Sequence, residues 1–158
     1  MQPNAPLPSF NYHGYLPEGV HEATLEKLRE RLVFNPQRAA LWEKMLLFLN
    51  WAVATGKFSH AYIDGGFLTN KPSPEDIDVI LQTSDSYGPE AFRAMEPFFS
   101  AGLGTILTKY SVHLHFWSEG FPGGLNDFRR FFQYLRPQDA APLGLKEGAK
   151  KGIVRIKL

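Results

Sequence analysis

A chain of 158 residues with 44% hydrophobic and 21% charged residues has the composition of one globular domain with a full core, and excludes a disordered or fibrous chain. Its 13 Phe and 3 Trp point to an aromatic core, and the lack of cysteine excludes disulfides and thiolate zinc sites. A net charge of +1 excludes a molecule that collects nucleic acid through bulk charge. No apolar run reaches the length of a membrane span, and residues 1–8 carry no signal-peptide pattern, so the expectation is a cytoplasmic protein with no membrane partner.

In chain order, residues 1–19 hold four prolines and read as an extended arm, ordered where Phe10, Tyr12, Tyr15 and Leu16 find a surface. Residues 20–158 read as a single domain. Leu25, Leu28 and Leu32 predict a helix over 24–33. Asn35-Pro36 is a helix start, with Asn as N-cap and Pro at the first position, and Gly56 is the stop. Between them Leu41, Trp42, Met45, Leu46, Leu49 and Val53 form a stripe, which Leu47 and Phe48 widen into a helix buried on more than one side. Residues 61–64 and 76–82 read as strands, joined through Gly65-Gly66 and a polar loop with Pro72 and Pro74. Pro89 opens a helix that Pro97 should bend or end. Gly102 and Gly104 mark a turn, and residues 106–117 have strand character, with His113 and His115 alternating against Val112, Leu114 and Phe116. Asn126 or Asp127 caps a short helix whose face is Phe128, Phe131, Phe132 and Leu135. Residues 137–148 read as irregular, and 152–158 as an edge strand with lysines that discourage pairing.

The chemistry concentrates in residues 63–80. Asp76 and Asp78 are two apart on a strand, so they share a face. Side by side they repel unless a cation lies between them, and carboxylate oxygens suit Mg²⁺ that also binds substrate phosphates. Gly65 and Gly66 permit a close backbone approach to a phosphate and offer bare N–H groups. Thr69 and Lys71 offer a hydroxyl and an ammonium to the same phosphates. Asp64 is either a further ligand or a partner of the turn amides. Without the spacing to Asp76, Gly65-Gly66 would read as a tight turn, and Asp76 and Asp78 as a solvated strand start.

The run Ile63-Asp64-Gly65-Gly66 followed by Asp76-Ile77-Asp78-Val79 resembles the signature of the DNA polymerase beta-like nucleotidyltransferases: a hydrophobic residue, two small residues, a spacer, then two acids between hydrophobics. Looser likeness along Leu16-Pro17-Glu18-Gly19-Val20-His21 and Lys151-Gly152-Ile153-Val154 is similar to a small, poorly characterised bacterial group of such proteins. The resemblance implies an α/β (α+β) domain of the minimal nucleotidyltransferase kind, a small mixed sheet with helices mainly on one face. It implies Asp76 and Asp78 as metal ligands for Mg²⁺ (or Mn²⁺), and Gly65, Gly66, Thr69 and Lys71 as contacts to a nucleoside triphosphate. Gly66 stands where the family often has Ser. A third acid is expected within Val112-His113-Leu114, where His113 stands instead.

That departure leaves two readings. His113 is a base or substitute ligand in a transferase acting on a protein, RNA or small-molecule acceptor, in a setting such as a toxin–antitoxin or phage-defence module. Alternatively catalysis is lost and the fold binds a nucleotide or a protein partner. His113 and His115 share one strand face, a spacing that suits a metal-ligand pair for ions softer than Mg²⁺, and equally a structural pair. A third reading is a nucleic-acid accessory protein using Lys146, Lys150, Lys151, Arg155 and Lys157.

Overall fold

The computed structural model describes residues 5–122 and 127–158. Five strands form one mixed sheet: β1 (Gly19–Glu22), β2 (Phe58–Asp64), β3 (Ile77–Thr83), β4 (Val112–Trp117) and β5 (Gly152–Lys157), in the order β1-β5-β2-β3-β4. β1 runs parallel to β5 and β3 to β4, whereas β2 is antiparallel to both of its neighbours. The α+β class expected from the sequence is the one observed.

Four helices cover one face: α1 (Leu25–Leu32), α2 (Pro36–Thr55), α3 (Pro89–Ala101) and α4 (Leu103–Tyr110). Alternation along each strand sends Ile63, Ile77, Val79, Leu81, Val112, Leu114, Val154 and Ile156 into the core beneath them. Phe48, Trp51, Phe98 and Tyr110 fill that core with stacked and edge-on rings. The other face carries a smaller apolar cluster of Tyr62, Ile80, Trp117 and Ile153, against which the short α5 (Phe128–Phe131) packs Phe128. After it come α6 (Pro137–Ala140) and a 3₁₀ turn at Ala141–Leu143, within the stretch expected to be irregular.

Local signals set the helix ends. The Thr24 side chain caps α1, and Asn35 caps α2 by accepting from the Arg38 backbone N–H, with Pro36 next and Gly56 closing the helix at φ 64°. Leu47 and Val53 lie outside the buried side of α2, at 62% and 50% exposure.

Three expectations are corrected, and one of the two outcomes expected at Pro97 is excluded. Residues 103–110 are helical, so the strand begins at Val112, not Ile106. Ile106 buries into the core from α4, and Ser111 at φ 53° ends the helix in the left-handed conformation usually left to glycine or asparagine. Pro97 does not end α3, which continues to Ala101. β5 is interior, because β1 pairs along its outer side. Phe131 faces outward at 60% exposure although Leu135 is buried, because α5 stops at Phe131 and the periodicity stops with it. Asn126 lies outside the described residues, and Asp127 is the observed N-cap.

The N-terminal arm contributes Leu7 and Leu16 to the core, while Tyr12 is 97% exposed. Tyr15 bridges to Thr69, so the arm reaches the glycine loop.

Candidate functional site

The site lies on the sheet face opposite α1–α4, where β2 ends and β3 and β4 begin beside the glycine bend. Antiparallel register sets Asp64 opposite Asp78, and parallel register sets Asp78 opposite His113. Paired residues share a face, so three functional side chains from three strands meet, and His115 follows two residues along β4. The Ser111 carbonyl accepts from the Ile77 N–H at 2.9 Å, which fixes β3 and β4 at the level of this cluster.

Two carboxylates opposite one another would repel. The Asp64 carboxylate is 4% exposed as a residue and is ion-paired with Lys151 Nζ, contributed from the stretch just before β5. Burial pushes Asp64 up to about 6, against the pull of Lys151. Asp78 is likewise raised, first by burial and further by Asp76, with His113 opposing. Its Oδ1 lies 3.1 Å from His113 Nδ1 and 4.0 Å from His115 Nε2.

Gly65 brings the bend onto this cluster. It has φ 88°, and a Cβ there would lie 2.5 Å from Asp78 Oδ2. The bend then enters a 3₁₀ turn at Gly66–Leu68. A Cβ on Gly66 would meet Lys71 Cδ at 3.5 Å and Pro74 Cβ at 3.6 Å, so the Lys71 stem runs beside the bend. Thr69 Oγ1 donates to the Gly66 carbonyl at 2.6 Å and accepts from the Lys71 N–H at 3.1 Å, which engages its hydroxyl within the loop. Asp76 immediately precedes β3 and is half-buried, close enough for its charge to act on Asp78.

The loop owes its shape to Arg38, which is fully buried. Its guanidinium donates to the carbonyls of Leu32, Gly66, Phe67, Thr69 and Lys71, and its plane lies over Phe34. Burial lowers its pKa to about 10, which still leaves it charged. No carboxylate is among these partners; five carbonyl dipoles take the place of a counter-ion.

His113 is half-exposed. His115 is mostly buried between the rings of Phe128 and Phe132, at 4.2 and 5.1 Å between centroids, and burial lowers it to about 4, so its imidazole is neutral at physiological pH. Among the described residues Asp78, His113 and His115 form the one group whose metal-ligating atoms all lie within 4.8 Å of one another. Asp76 and Asp64 are outside it. Two nitrogens and one oxygen fit a borderline transition-metal ion better than Mg²⁺, which prefers an all-oxygen shell.

The basic tail is largely paired. Lys151 joins Asp64, Arg155 joins Glu22, and Lys150 Nζ lies 2.9 Å from Glu18 Oε1. Arg38 and Lys151 carry no local signal of their roles, since their partners lie about 30 and 87 positions away. No described helix is long and apolar enough to cross a membrane.

The profile of a family of unknown function, DUF6932, matches residues 8–157. No curated protein matches the chain, and neither does any solved structure.

Proposed function

We propose, for a chain that belongs to the DUF6932 family, that the pocket between the Gly65-Gly66 bend and the starts of β3 and β4 binds a nucleoside triphosphate with a divalent cation and transfers its nucleotidyl group to a hydroxyl acceptor. The observation that carries this reading is the contact between Gly65 and Asp78. Glycine is needed there for the backbone to approach a carboxylate, and the same bareness suits an approach to phosphate.

In this reading Gly66 presents its backbone N–H to the triphosphate while the Gly65 N–H holds the Asp64 carboxylate, and the exposed Lys71 supplies a positive charge beside them. Asp78 is the acidic anchor, with Asp76 at the rim. His113 stands where the resemblance places a third acid, directly opposite Asp78 across the strand pair. Thr69 shapes the loop with its hydroxyl rather than reaching the nucleotide. A bound cation supplies neutralisation of charge on the transferring phosphate. A protein, RNA or small-molecule hydroxyl all suit this chemistry as acceptor.

A second reading is a nucleotide-binding protein without transfer. The observation favouring it is the shortage of negative charge: Asp78 is the one carboxylate in the metal-ligand group, and Lys151 neutralises Asp64.

The test is incubation of purified protein with α-labelled nucleoside triphosphates, Mg²⁺ or Mn²⁺, and cell extract as acceptor source, beside the Asp76→Ala, Asp78→Ala double variant. Transfer lost in the variant supports the first reading. Nucleotide-dependent thermal stabilisation without transfer supports the second. Equal labelling of acceptors by both proteins, or neither stabilisation nor transfer, removes the nucleotide from this site.

A further inference from the structure

Asp78, His113 and His115 are brought together by the parallel pairing of two strands, and the side chain of His115 carries an unexplained feature. Its Nε2 is buried and has no hydrogen-bond partner among the described residues. Buried polar atoms are nearly always satisfied, and an orphan asks for an explanation. This nitrogen lies 4.0 Å from Asp78 Oδ1, on the side where His113 Nδ1 also meets that oxygen.

We propose that Asp78, His113 and His115 form a three-ligand site for a borderline divalent ion such as Mn²⁺, Co²⁺ or Zn²⁺, with its remaining positions open to solvent or substrate. The site stands on donor geometry and does not require that the chain use a nucleotide. It replaces the paired-aspartate Mg²⁺ site that the resemblance implies.

The donor spacing suits such an ion. Ligands about 2.0–2.2 Å from a tetrahedral or octahedral ion lie about 2.8–3.6 Å from one another. The three ligating atoms fall within 4.8 Å, with the two measured contacts at 3.1 and 4.0 Å, so small side-chain rotations bring them into range. Entry of the ion displaces the hydrogen between His113 Nδ1 and Asp78; that proton moves to Nε2 of the same ring, which is half-exposed, so the ligand stays neutral. Phe128 and Phe132 flank the His115 ring, and Gly65 packs against the second Asp78 oxygen, so these two ligands are oriented toward the site beforehand and need only close the 4.0 Å between them. The exposed side of His113 leaves the open positions facing outward.

The experiment is titration of the chelator-stripped full chain with CoCl₂, without nucleotide, followed by visible absorption. Stoichiometric binding is expected, with d–d bands of a nitrogen-containing shell that excess Mg²⁺ does not abolish. His113→Gln, at an exposed position where folding should survive, and His115→Asn should each weaken binding by about 100-fold or more, since loss of even an outer partner costs 10–100-fold. Asp76→Asn should retain most of the affinity. Absence of a Co²⁺ spectrum overturns the proposal, and so does binding that survives His113→Gln or is lost in Asp76→Asn. Co²⁺ binding by a protein that transfers no label would leave this site standing while the transferase reading falls; label transfer with Mg²⁺ and no Co²⁺ binding would do the reverse.

Discussion

Gly65 lies directly against Asp78: a methyl group added at its Cα would come within 2.5 Å of Oδ2, on a backbone with φ 88° that side chains rarely adopt. Gly65→Ala therefore combines backbone strain with displacement of the carboxylate. We expect a loss of stability of roughly 1–3 kcal/mol from the strained backbone, read by urea unfolding. Co²⁺ affinity should fall as well. Gly66→Ala, whose added carbon meets nothing closer than 3.5 Å, should cost far less. Equal effects at the two glycines would refute this account of the bend.

Arg38 holds the loop that carries the bend. Removing it leaves the carbonyls of Leu32, Phe67 and Thr69 without this donor inside the protein. Arg38→Met should destabilise by several kcal/mol, at about 1–3 kcal/mol for each buried carbonyl left unpaired. Arg38→Lys should recover little, because one ammonium cannot reproduce the planar fork. Chemical denaturation of both variants is the check, and near-native stability of Arg38→Lys would contradict it.

Lys151 and Asp64 form a buried pair. Lys151→Met leaves an uncompensated carboxylate and should cost about 3–5 kcal/mol. Adding Asp64→Asn should restore a large part of that loss, because the remaining group carries no charge. A double-mutant cycle with additive losses would show that the two side chains are not coupled.

The buried His115 gives the metal-free protein an acid sensitivity. Its folded pKa is lowered to about 4 from an ordinary 6.5, so between those values the unfolded chain binds a proton that the folded chain refuses. Its contribution to stability is therefore complete above pH 6.5 and is lost as pH falls toward 4. His115→Phe, matched to the surrounding Phe128 and Phe132, should flatten the melting temperature across that window in the presence of chelator. An unchanged slope would place the acid sensitivity elsewhere.

Helix α2 was legible from Asn35-Pro36 and Gly56, because caps act on backbone groups within one turn. The strand carrying Val79 was legible from alternation of Ile77, Val79 and Leu81 against Asp76 and Asp78, while the α+β class was an expectation carried by the resemblance. Ile106 and Leu107 misled because β-branched and apolar residues before His113 continue a strand-like pattern; burial of Ile106 and the left-handed Ser111 made that stretch a helix. Lys157 and Arg155 read as edge gatekeepers, yet β1 covers that edge through pairing with a segment more than 130 positions away.

By itself the sequence determined the composition of one core, the ends of α1 and α2 and the starts of α3 and α5, and the proximity of Asp76 and Asp78, since all of these depend on neighbours within a few residues. The tertiary structure alone decided that Asp78 keeps company with His113 and His115 rather than with a second acid, that Lys151 neutralises Asp64, and that Arg38 shapes the glycine loop. Those are outcomes of strand register and burial, in which the partner of each group is chosen by the folding of distant segments onto one another and has no signature in the residues beside it.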